Sequence, residues 1–442
     1  MKVRDTVPKT VCVIGLGYIG LPTAAVLASA GHKVEGVEVK PAVRRVINCG
    51  QIHIVEPGLR QLVAKAVAGG RLRAFASPLQ ADVFVICVQT PFLKSKRADL
   101  CAVRKATQSI VPVLKKGDLV ILESTVPPGT TMSVVKPILE KSGLKAGQDF
   151  YLAHCPERVM PGGIMKEMVE NARIVGGINR RSALLTRQLY ASFVKGKIVL
   201  TDATTAEMAK LSENTFRDVN IAFANELSKI CYRLGIDVWE VIKYANEHPR
   251  VNILRPGPGV GGHCIAVDPW FIASAVPEDA KIIRTARYVN DSMPNFVVQR
   301  VIESVKDINN PVVAVLGLTY KADVDDIRES PAFAIARKLS QIKRIGLRVC
   351  DPYVKECAGL RMYALTDAVM GADCAVLLVD HRKFREAKWS RLYATMRHPR
   401  VVDTRGILPA PPEAAGMGLP RRSAPRNDKQ CVEGNVLQFR QN

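Results

Sequence analysis

The N-terminal part of the chain alternates short apolar runs with longer stretches of helical spacing. The apolar runs cover residues 10–15, 33–39, 83–88 and 119–122. Polar or glycine-containing turns flank them, as is typical of strands buried in a parallel sheet. Helical spacing covers residues 18–30, 100–114 and 131–141. Because strands and helices alternate, the pattern predicts a doubly wound α/β domain, with two further strands at residues 174–176 and 197–200 on its far edge.

The middle of the chain has a different pattern. Residues 204–234 contain no proline or glycine and carry apolar positions at helical spacing, which predicts one long helix or two abutting ones. A second helical block covers residues 279–304. After it the alternation of strands and helices begins again. The predicted strands cover residues 312–316, 348–351, 375–379 and 401–403, and a helix covers residues 331–342.

We therefore expect two Rossmann-like doubly wound parallel-sheet domains joined by a central helical segment, because 442 residues exceed the ~300 that one core usually holds. The first domain is predicted at residues 1–203 and the second at residues 306–408. Residues 204–305 are predicted to form a helical dimerisation segment that carries a cysteine loop. Residues 409–442 are rich in proline, alanine, glycine and arginine, which predicts a disordered tail.

Composition and charge exclude several classes of protein. Glycines and a proline interrupt the apolar stretch at residues 11–30, and no segment has the roughly 18 uninterrupted apolar residues that cross a bilayer. We therefore expect a cytoplasmic protein with no membrane partner. The formal net charge is +22, but the basic residues are spread along the chain without a basic block. This distribution disfavours nucleic acid as a partner and fits small anionic ligands.

The eleven cysteines are scattered, odd in number and without any C-x-x-C pair. This argues against a disulfide framework and against a zinc site, so we expect no bound metal. Some of them, such as Cys12 and Cys87, lie in apolar runs, where a buried thiol acts as a small hydrophobic side chain. Cys264 differs because it follows a loop rich in glycine and proline.

The sequence Gly15-Leu-Gly17-Tyr18-Ile19-Gly20 follows the first predicted strand and opens the first predicted helix. Glycines there permit a tight turn and a close approach of a pyrophosphate to the helix N-terminus. Glu38 ends the second strand about twenty residues later, where an acid holds ribose hydroxyls and repels a 2′-phosphate. Glu35 is the poorer candidate because it lies within the strand. The pattern predicts NAD, and a purely structural turn is the alternative.

The loop that runs from Gly257 to Cys264 predicts a second site. Glycines allow a close approach of the backbone to a ligand, and a cysteine nucleophile needs a polar setting that favours thiolate. Asp268 lies on the face of Cys264 if the segment turns helical after the cysteine. A structural glycine loop with an incidental cysteine is the alternative reading.

Polar residues elsewhere point to the same chemistry. Lys210 and Asn214 are four residues apart on the long helix, so they share one face and offer an ammonium and an amide to one oxyanion. A solvated helix face is the alternative. Two loops follow predicted strands, where ligands of doubly wound sheets bind, and a third segment is a turn that presents an acid. They contain Thr90, Glu123 with Thr125, and Cys155 with Glu157.

Together these motifs resemble the UDP-glucose/GDP-mannose dehydrogenase family. The resemblance runs from about residue 11 to residue 406 and includes, in order, G-L-G-Y-I-G, E-S-T-V-P-P-G, C-P-E-R, K-L-S-E-N, G-P-G-V-G-G-H-C and K-A-D-V-D-D-I-R-E-S. It implies oxidation of a sugar C6 alcohol to a carboxylate by hydride transfer to NAD, with Cys264 forming a thiohemiacetal and then a thioester that water hydrolyses.

The resemblance also implies roles for individual residues. The catalytic set is Cys264, Lys210, Asn214, Asp268, Glu157 and Thr125. The cofactor contacts are Gly15, Gly17, Tyr18, Ile19, Gly20, Glu38, Thr90, Thr125 and Arg328. The substrate contacts are Glu157, Arg158, Val159, Lys210, Asn214, Arg250, Asn252, Gly259, Gly261, His263, Lys321 and Arg405. A homodimer or higher homo-oligomer is implied, with Arg250 reaching the substrate of the neighbouring subunit.

Within the family, residues 52–57, 216–226, 248–252 and 261–270 are similar to the branch that acts on UDP-N-acetyl-D-mannosamine for surface polysaccharides. UDP-N-acetylglucosamine is the nearest alternative substrate. Val267 stands where UDP-glucose enzymes carry lysine, which points away from UDP-glucose. Glu38 replaces the more usual aspartate, and Gln89 replaces a proline. A non-catalytic nucleotide-sugar binder is a further alternative, and it would be favoured if Cys264, Lys210 or Asp268 were missing.

Overall fold

The computed structural model describes residues 7–93, 95–160 and 162–411. The chain forms two compact units. Among the described residues, the first contains those up to Val219 together with His263–Arg287, and the second contains Asn220–Gly262 together with those from Tyr288 onward. The three predicted domain boundaries remain predictions. The predicted disordered tail lies outside the described residues, except for residues 409–411.

The first unit contains an eight-stranded sheet. Its strands are β1 Thr10–Ile14, β2 Lys33–Val37, β3 Leu72–Phe75, β4 Val83–Ile86, β5 Leu119–Leu122, β6 Tyr151–His154, β7 Arg173–Gly177 and β8 Ile198–Asp202. Their order across the sheet is β3-β2-β1-β4-β5-β6-β7-β8. The chain reverses its direction of winding between β1 and β4, which is where an open α/β sheet binds its ligand.

One pairing departs from the predicted parallel sheet. β6 and β7 are antiparallel, while the other pairings of this sheet are parallel. The helix between these two strands covers Ile164–Glu170, and its seven residues rise only about 10 Å. A return to the starting edge of the sheet requires a crossover as long as a strand, roughly 16 Å for five residues. The chain therefore enters β7 from the opposite edge.

The second unit contains a four-stranded parallel sheet. Its strands are β9 Val312–Leu316, β10 Gly346–Cys350, β11 Cys374–Leu377 and β12 Arg400–Asp403. Their order is β10-β9-β11-β12, so the winding reverses between β9 and β11. All three pairings are parallel. The two sheets confirm the predicted fold class.

The helices occupy most of the predicted positions. They are α1 Gly20–Ser29, α2 Pro41–Asn48, α3 Leu59–Ala68, α4 Cys101–Ile110, α5 Lys136–Leu139, α6 Ile164–Glu170, α7 Arg180–Tyr190, α8 Ala203–Leu234, α9 Val238–Ala245, α10 Asp268–Ala275, α11 Lys281–Ser304, α12 Pro331–Ser340, α13 Leu365–Val369, α14 Arg382–Arg385 and α15 Trp389–Tyr393. The single helix predicted at residues 131–141 is instead a π-helical turn at Thr131–Val135, then α5, then a 3-10 turn at Glu140–Ser142.

Buried aliphatic side chains hold each sheet between its helices. β4 and β5 are buried along their whole length, as expected of central strands covered on both faces. α1 contributes nine buried residues against the first sheet. None of the helices in the described residues is both long enough and apolar enough to cross a membrane. Some of the buried polar side chains, such as Glu123 and Glu157, lie just after strands, and others, such as Glu207 and Asn214, lie on α8; these positions form the candidate site.

Candidate functional site

The glycines of the first βα turn are needed for two different structural reasons. Gly15 has a positive φ of 91°, and a Cβ there would lie 2.7 Å from the carbonyl oxygen of Cys87. At Gly20 a Cβ would lie 1.8 Å from the Gly15 carbonyl oxygen. At Gly17 a Cβ would meet no heavy atom within 4 Å among the described residues. Packing thus requires two of the glycines, while the third leaves open space for a ligand at the start of α1.

The acid at the end of the second strand lies where a ribose can reach it. Glu38 follows β2, and its backbone N–H donates to the carbonyl of Phe75 at 3.0 Å. Its carboxylate accepts the Lys40 N–H at 2.9 Å and is half-buried. Glu35, the poorer candidate, is buried within β2 and pairs with Lys33 at 3.1 Å. The Gly15–Gly20 turn and Glu38 together fit the two ends of an adenosine diphosphate.

The first half of α8 organises the polar residues around it. Glu207, Lys210, Asn214 and Asp218 recur every three or four residues and so follow one face of the helix. Asn214 donates its Nδ2 hydrogen to Asp268 Oδ2 at 2.6 Å. Asp218 and Arg287 form a buried ion pair at 2.5 Å. α8 is therefore a scaffold for the site, and the alternative of a solvated face is wrong for Asn214, which is buried.

The loop with the candidate nucleophile ends on this scaffold. The Asp268 N–H donates to the carbonyl of Cys264 at 2.9 Å, a helical i to i+4 contact that confirms the predicted turn after the cysteine. Cys264 is exposed to solvent, whereas Asp268 is 3% exposed. Val267 and Phe271 pack against Leu211 of α8, which fixes the start of α10 beside Asn214.

Protonation at this loop differs from the sequence-based expectation. Desolvation raises the pKa of the Cys264 thiol even though part of its surface is accessible, and the Asp268 carboxylate raises it further. The charges of Lys210 and Arg217 lower the pKa of the thiol, but they do not outweigh the two effects that raise it. Burial raises the pKa of Asp268 to about 6, against the hydrogen bond from Asn214 and the charge of Lys210. The thiol is thus the resting form, and a base must remove its proton.

The C-P-E-R turn carries its acid into a buried ion network. Glu157 Oε2 accepts Arg173 Nη2 at 2.6 Å, and Glu157 Oε1 accepts the Arg158 N–H at 2.8 Å. Arg173 Nη1 also contacts Glu123 Oε1 at 3.2 Å. Arg158 donates to Glu213 of α8 through Nε at 3.1 Å and Nη2 at 2.7 Å. The turn is therefore tied to α8 one residue before Asn214.

The loops after β4 and β5 are joined to each other. The Thr90 hydroxyl donates to the Thr125 carbonyl at 2.6 Å, and the Ser124 hydroxyl donates to the Val88 carbonyl at 2.7 Å. Glu207 of α8 accepts the Gly129 N–H, and it accepts both the N–H and the hydroxyl of Thr131, at 2.5–2.7 Å. The structure thus brings together the predicted residues Thr90 and Thr125 at the carboxyl ends of adjacent strands.

Of the other predicted substrate residues, the half-buried Val159 and the exposed His263 lie in the first unit, and the rest lie in the second. Gly259 and Gly261 are restricted by the protein itself, because a Cβ at Gly261 would lie 2.4 Å from the Glu329 carbonyl oxygen. Arg405 donates to the Leu378 carbonyl at 3.2 Å and lies so close to Gly257 that a Cβ there would be 2.7 Å from its Nη1. The remaining predicted residues are exposed or half-buried: Arg250, Asn252, Lys321 and, in a bidentate contact with Asp326, Arg328.

Several buried polar residues of the first unit have no role in the predictions made from the sequence, although Glu123 was named there as part of a loop. Glu123, Arg173 and Tyr190 are fully or almost fully buried beside Glu157, and Glu207 is 1% exposed. Glu207 had a readable signal, since it lies three residues before Lys210 on the same helix face. Arg173 had none, because its partners lie 16 and 50 residues away along the chain.

Similarity to known proteins extends along almost all of the chain. The UDP-glucose/GDP-mannose dehydrogenase family matches through its NAD binding domain at residues 9–194, its central domain at residues 204–292 and its UDP binding domain at residues 314–410. The NDP-N-acetyl-D-galactosaminuronic acid dehydrogenase of Ralstonia solanacearum is 50% identical over 413 residues, which cover 91% of this chain and 97% of that protein.

Two further relatives carry a different name. The UDP-N-acetyl-D-mannosamine dehydrogenase of Campylobacter jejuni is 51% identical over 393 residues, covering 86% of this chain and 97% of that protein. The solved structure of the UDP-D-ManNAc dehydrogenase of Pyrococcus horikoshii matches with a TM-score of 0.86 at 44% identity, covering 91% and 97% of the two chains. The expected family and the expected NAD are thereby confirmed. The chain belongs to the UDP-glucose/GDP-mannose dehydrogenase family and is an NAD-dependent enzyme that oxidises a nucleotide sugar.

Proposed function

We propose that this enzyme oxidises UDP-N-acetyl-D-mannosamine at C6 to UDP-N-acetyl-D-mannosaminuronate through a thioester on Cys264. One observation carries the proposal: Asn214 of α8 binds Asp268, which begins the helix that follows Cys264. An exposed thiol, a buried carboxyl whose pKa is about 6, and an amide that can donate to oxygen are thus assembled in one place. These are the groups that a covalent oxidation of an aldehyde requires.

NAD fits the first βα turn, where Gly17 leaves open space and Glu38 ends β2. When bound, NAD accepts a hydride in each of two oxidations. We assign the cofactor contacts to the Gly15–Gly20 turn and Glu38, with Thr90, Thr125 and Arg328. The overall balance is one primary alcohol, two NAD⁺ and one water giving one carboxylate, two NADH and three protons.

In the first oxidation, Lys210 and Asn214 stabilise the negative charge that develops on the sugar oxygen. Asp268 accepts the alcohol proton through a water, which its pKa of about 6 allows at neutral pH. The Cys264 thiol then gives up its proton and adds to the aldehyde carbon, forming a C–S bond and a hemithioacetal hydroxyl. After the second oxidation this carbon is a thioester carbonyl.

Hydrolysis of the thioester is assigned to Glu157 and a water held near Thr125. The remaining substrate contacts are proposed for Arg158, Val159, Asn252, Gly259, Gly261 and His263 along the sugar, and for Lys321 and Arg405 at the diphosphate and uridine. Arginine suits a diphosphate because its planar guanidinium binds two oxygens at once. Exposed apolar side chains at Phe216, Phe223 and Ile230, seven residues apart on α8, support a homo-oligomer in which Arg250 reaches the neighbouring substrate.

The substrate assignment rests on similarity to relatives that are named for UDP-N-acetyl-D-mannosamine at 44–51% identity. A second candidate is an N-acetylgalactosamine nucleotide, because the Ralstonia solanacearum relative matches at 50% identity over a longer stretch. UDP-N-acetylglucosamine is the third. The three sugars differ in the configuration at C2 and C4, so one or two polar contacts decide between them. A role in surface polysaccharide synthesis and a cytoplasmic location remain predictions.

The test is NADH formation by the purified enzyme with each UDP-N-acetylhexosamine in parallel. We expect the highest kcat/KM with UDP-N-acetyl-D-mannosamine. A higher value with UDP-N-acetylgalactosamine would reassign the substrate while leaving the chemistry intact. Cys264→Ser is expected to release no carboxylate product, because a neutral serine hydroxyl is a much weaker nucleophile than a thiolate and its alkoxide is a poorer leaving group. Carboxylate formation at the normal rate by that variant would contradict the covalent role.

A further inference from the structure

A buried chain of charged groups extends from Glu157 into the core of the first unit. Glu157, Arg173 and Glu123 have side chains that are 8%, 3% and 0% exposed. Arg173 binds Glu157 through Nη2 at 2.6 Å and Glu123 through Nη1 at 3.2 Å. The three residues come from the end of β6, the start of β7 and the end of β5, which are neighbours in the sheet. The arrangement is a buried carboxylate, guanidinium and carboxylate in series.

Aromatic rings prevent Arg173 from changing its orientation. The guanidinium carbon lies 4.5 Å from the centre of the Tyr190 ring and 5.5 Å from that of Phe193. Glu123 is in turn fixed by the Thr23 hydroxyl at 3.2 Å, the Tyr190 hydroxyl at 3.2 Å and the Cys87 thiol at 2.9 Å. Both terminal amino groups of Arg173 are thus engaged, Nη1 with Glu123 and Nη2 with Glu157, whereas its buried Nε has no hydrogen-bond partner within the described residues.

The charges around Glu157 come from several elements. Arg173 and Arg158 are positive, and Arg158 is neutralised by Glu213 of α8. Glu123 is the other buried carboxyl, and burial raises its pKa. Burial also raises the pKa values of the thiols of Cys87 and Cys155. Those two thiols are therefore neutral at physiological pH, and Arg173 is the cation that directly compensates Glu157.

We propose that Arg173, held in place by Glu123, is a positioning residue that keeps the Glu157 carboxylate aimed for hydrolysis of the Cys264 thioester. This inference rests on the hydrolytic role proposed for Glu157. In that step the water oxygen bonds to the thioester carbon, the C–S bond breaks and the sulfur leaves with the electron pair. The water proton passes to Glu157 Oε1 or Oε2 and from there returns to the Cys264 thiolate.

A purely structural ion network predicts something different. A buried ion pair often contributes little net stability, because desolvation of the charges offsets their attraction. Without a functional role, its replacement would change stability and leave the chemistry of the folded fraction alone. The positioning role instead predicts a defect confined to hydrolysis, because the oxidations use Cys264, Lys210, Asn214 and Asp268, which do not contact Arg173.

The experiment follows single turnovers of the full-length enzyme with excess enzyme over UDP-N-acetyl-D-mannosamine. Rapid quenching and intact-mass analysis measure the acyl adduct on Cys264, while absorbance measures NADH. For Arg173→Gln we expect the second NADH to form within about threefold of the normal rate and the adduct to persist about 100-fold longer at pH 7. Without the 2.6 Å contact from Arg173 the Glu157 carboxylate can leave its position, so the slow hydrolysis is expected across the whole pH range tested.

Further variants keep the result decisive. Arg173→Lys retains the charge but not the two-pronged contact, so it should restore hydrolysis in part. If Arg173→Gln does not fold, the pair Glu123→Gln with Arg173→Met removes one charge of each sign and should show the same persistence of the adduct. Arg180→Gln, at an exposed position of α7, is the matched control. A normal adduct lifetime in the folded Arg173→Gln enzyme or in the folded double variant, or loss of oxidation and hydrolysis alike, would overturn the proposal.

Glu157→Gln separates this inference from the function on which it rests. It should accumulate the adduct at every pH, because no carboxylate is left to accept the proton. If Glu157→Gln hydrolyses the adduct normally, the role proposed for Glu157 is wrong and the inference fails with it. If Glu157→Gln accumulates the adduct while the folded Arg173 variants do not, only the positioning role is wrong.

Discussion

The two sheets have the same topology where their winding reverses, but the crevice at this point is open in the first sheet and closed by side chains in the second. In the first sheet the winding reverses between β1 and β4, and in the second it reverses between β9 and β11. The turn after β1 has three glycines, of which Gly17 borders open space. The turn after β9 has only Gly317, whose φ is 96° and where a Cβ would lie 2.5 Å from the Val379 Cβ. Topology thus provides two crevices, and side chains decide which one admits a dinucleotide.

The second crevice is occupied by its own polar network. The Asp323 N–H donates to His381 Nδ1 at 2.9 Å, so the ring carries its proton on Nε2. Nε2 lies 3.1 Å from Asp351 Oδ2 and 3.3 Å from the Thr319 hydroxyl. Asp351 also accepts the Leu318 N–H at 2.7 Å. These side chains satisfy one another and so are not open to a dinucleotide, and the contacts proposed for the UDP-sugar in this unit, Lys321 and Arg405, are other side chains.

The same contrast holds for buried histidines. His154, at the end of β6, is completely buried, and within the described residues neither ring nitrogen has a hydrogen-bond partner. Burial lowers the pKa of His154 to about 3. His381 is equally buried but uses both nitrogens. Among the described residues, the first sheet thus carries a buried ring without a hydrogen-bond partner near its site, whereas the buried histidine of the second sheet is satisfied.

The largest expected effect is therefore a pair of opposite changes in stability. Because His154 is neutral when folded and titrates near 6.5 when unfolded, its stabilising contribution is complete above pH 6.5 and is lost as pH falls towards 3. His154→Leu should raise the free energy of unfolding by about 3 kcal/mol at pH 4. His381→Leu should lower it by about 2 kcal/mol at pH 7, because partners are left unsatisfied. Urea unfolding at both pH values measures the two changes, and changes of the same sign would remove the contrast.

The next effect concerns the buried carboxyls Asp268 and Asp351. Contacts hold the pKa of Asp351 below its usual value despite burial, whereas burial raises that of Asp268 to about 6. A raised pKa means that Asp268 stabilises the fold most below pH 4 and loses this contribution as pH rises through 6. The free energy of unfolding of Asp268→Asn should therefore be about 3 kcal/mol higher than that of the normal enzyme at pH 8. At pH 4 the two values should differ little.

Catalysis should follow the same ionisation of Asp268. The rate of the first hydride transfer is expected to fall as pH drops through about 6, since the protonated carboxyl accepts no proton. Asp268→Asn should give a slow rate without this limb. If the rate of hydride transfer by Asp268→Asn still fell as pH drops through about 6, the ionisation would belong to another group.

A smaller effect distinguishes the two glycine turns directly. Gly17→Val should weaken NAD binding about 100-fold, roughly 2.7 kcal/mol, while the melting temperature changes little, because the side chain enters space that the protein does not use. Gly317→Ala should leave NAD binding unchanged. Calorimetric titration with NAD measures both variants, and normal binding by Gly17→Val would show that the open space is not the cofactor site.

The smallest effect is on stability at the second turn. Gly317→Ala should lower the free energy of unfolding by about 1–2 kcal/mol, because its φ of 96° disfavours any side chain and Val379 leaves no room. Gly117→Ala is a matched control, with φ of 92° and no heavy atom of the described residues within 4 Å of its Cβ. Equal destabilisation of the two variants would show that backbone strain alone is responsible.

Much of the fold could be predicted from the sequence because local patterns determine it. The alternation of apolar runs predicted the strands, and the stretch without proline or glycine predicted α8 almost to the residue. The antiparallel β7 could not be predicted, since it depends on how far α6 carries the chain. The site was predicted where motifs follow strands, but the network of Arg173 was not. Its members are distant in sequence and meet only because β5, β6 and β7 are adjacent.

The protonation state of Cys264 shows a second limit. A glycine-rich loop predicts access and polarity, but the pKa of a thiol depends on the charges that the fold brings near it. The Asp268 carboxylate opposes ionisation of the thiol, and Lys210 and Arg217 favour it. Only the three-dimensional arrangement of these groups shows whether the pKa of the thiol is raised or lowered. The same carboxyl can then serve as the base that removes the thiol proton once substrate fills the site.

The most direct test of the central claim is the stoichiometry of one turnover combined with the mass of the enzyme. With limiting UDP-N-acetyl-D-mannosamine and excess NAD, the account predicts two NADH for each substrate and a transient adduct on a peptide that contains Cys264. Cys264→Ser should form at most one NADH and no adduct. One NADH with the normal enzyme, or two NADH and full carboxylate formation with Cys264→Ser, would contradict covalent oxidation at this residue.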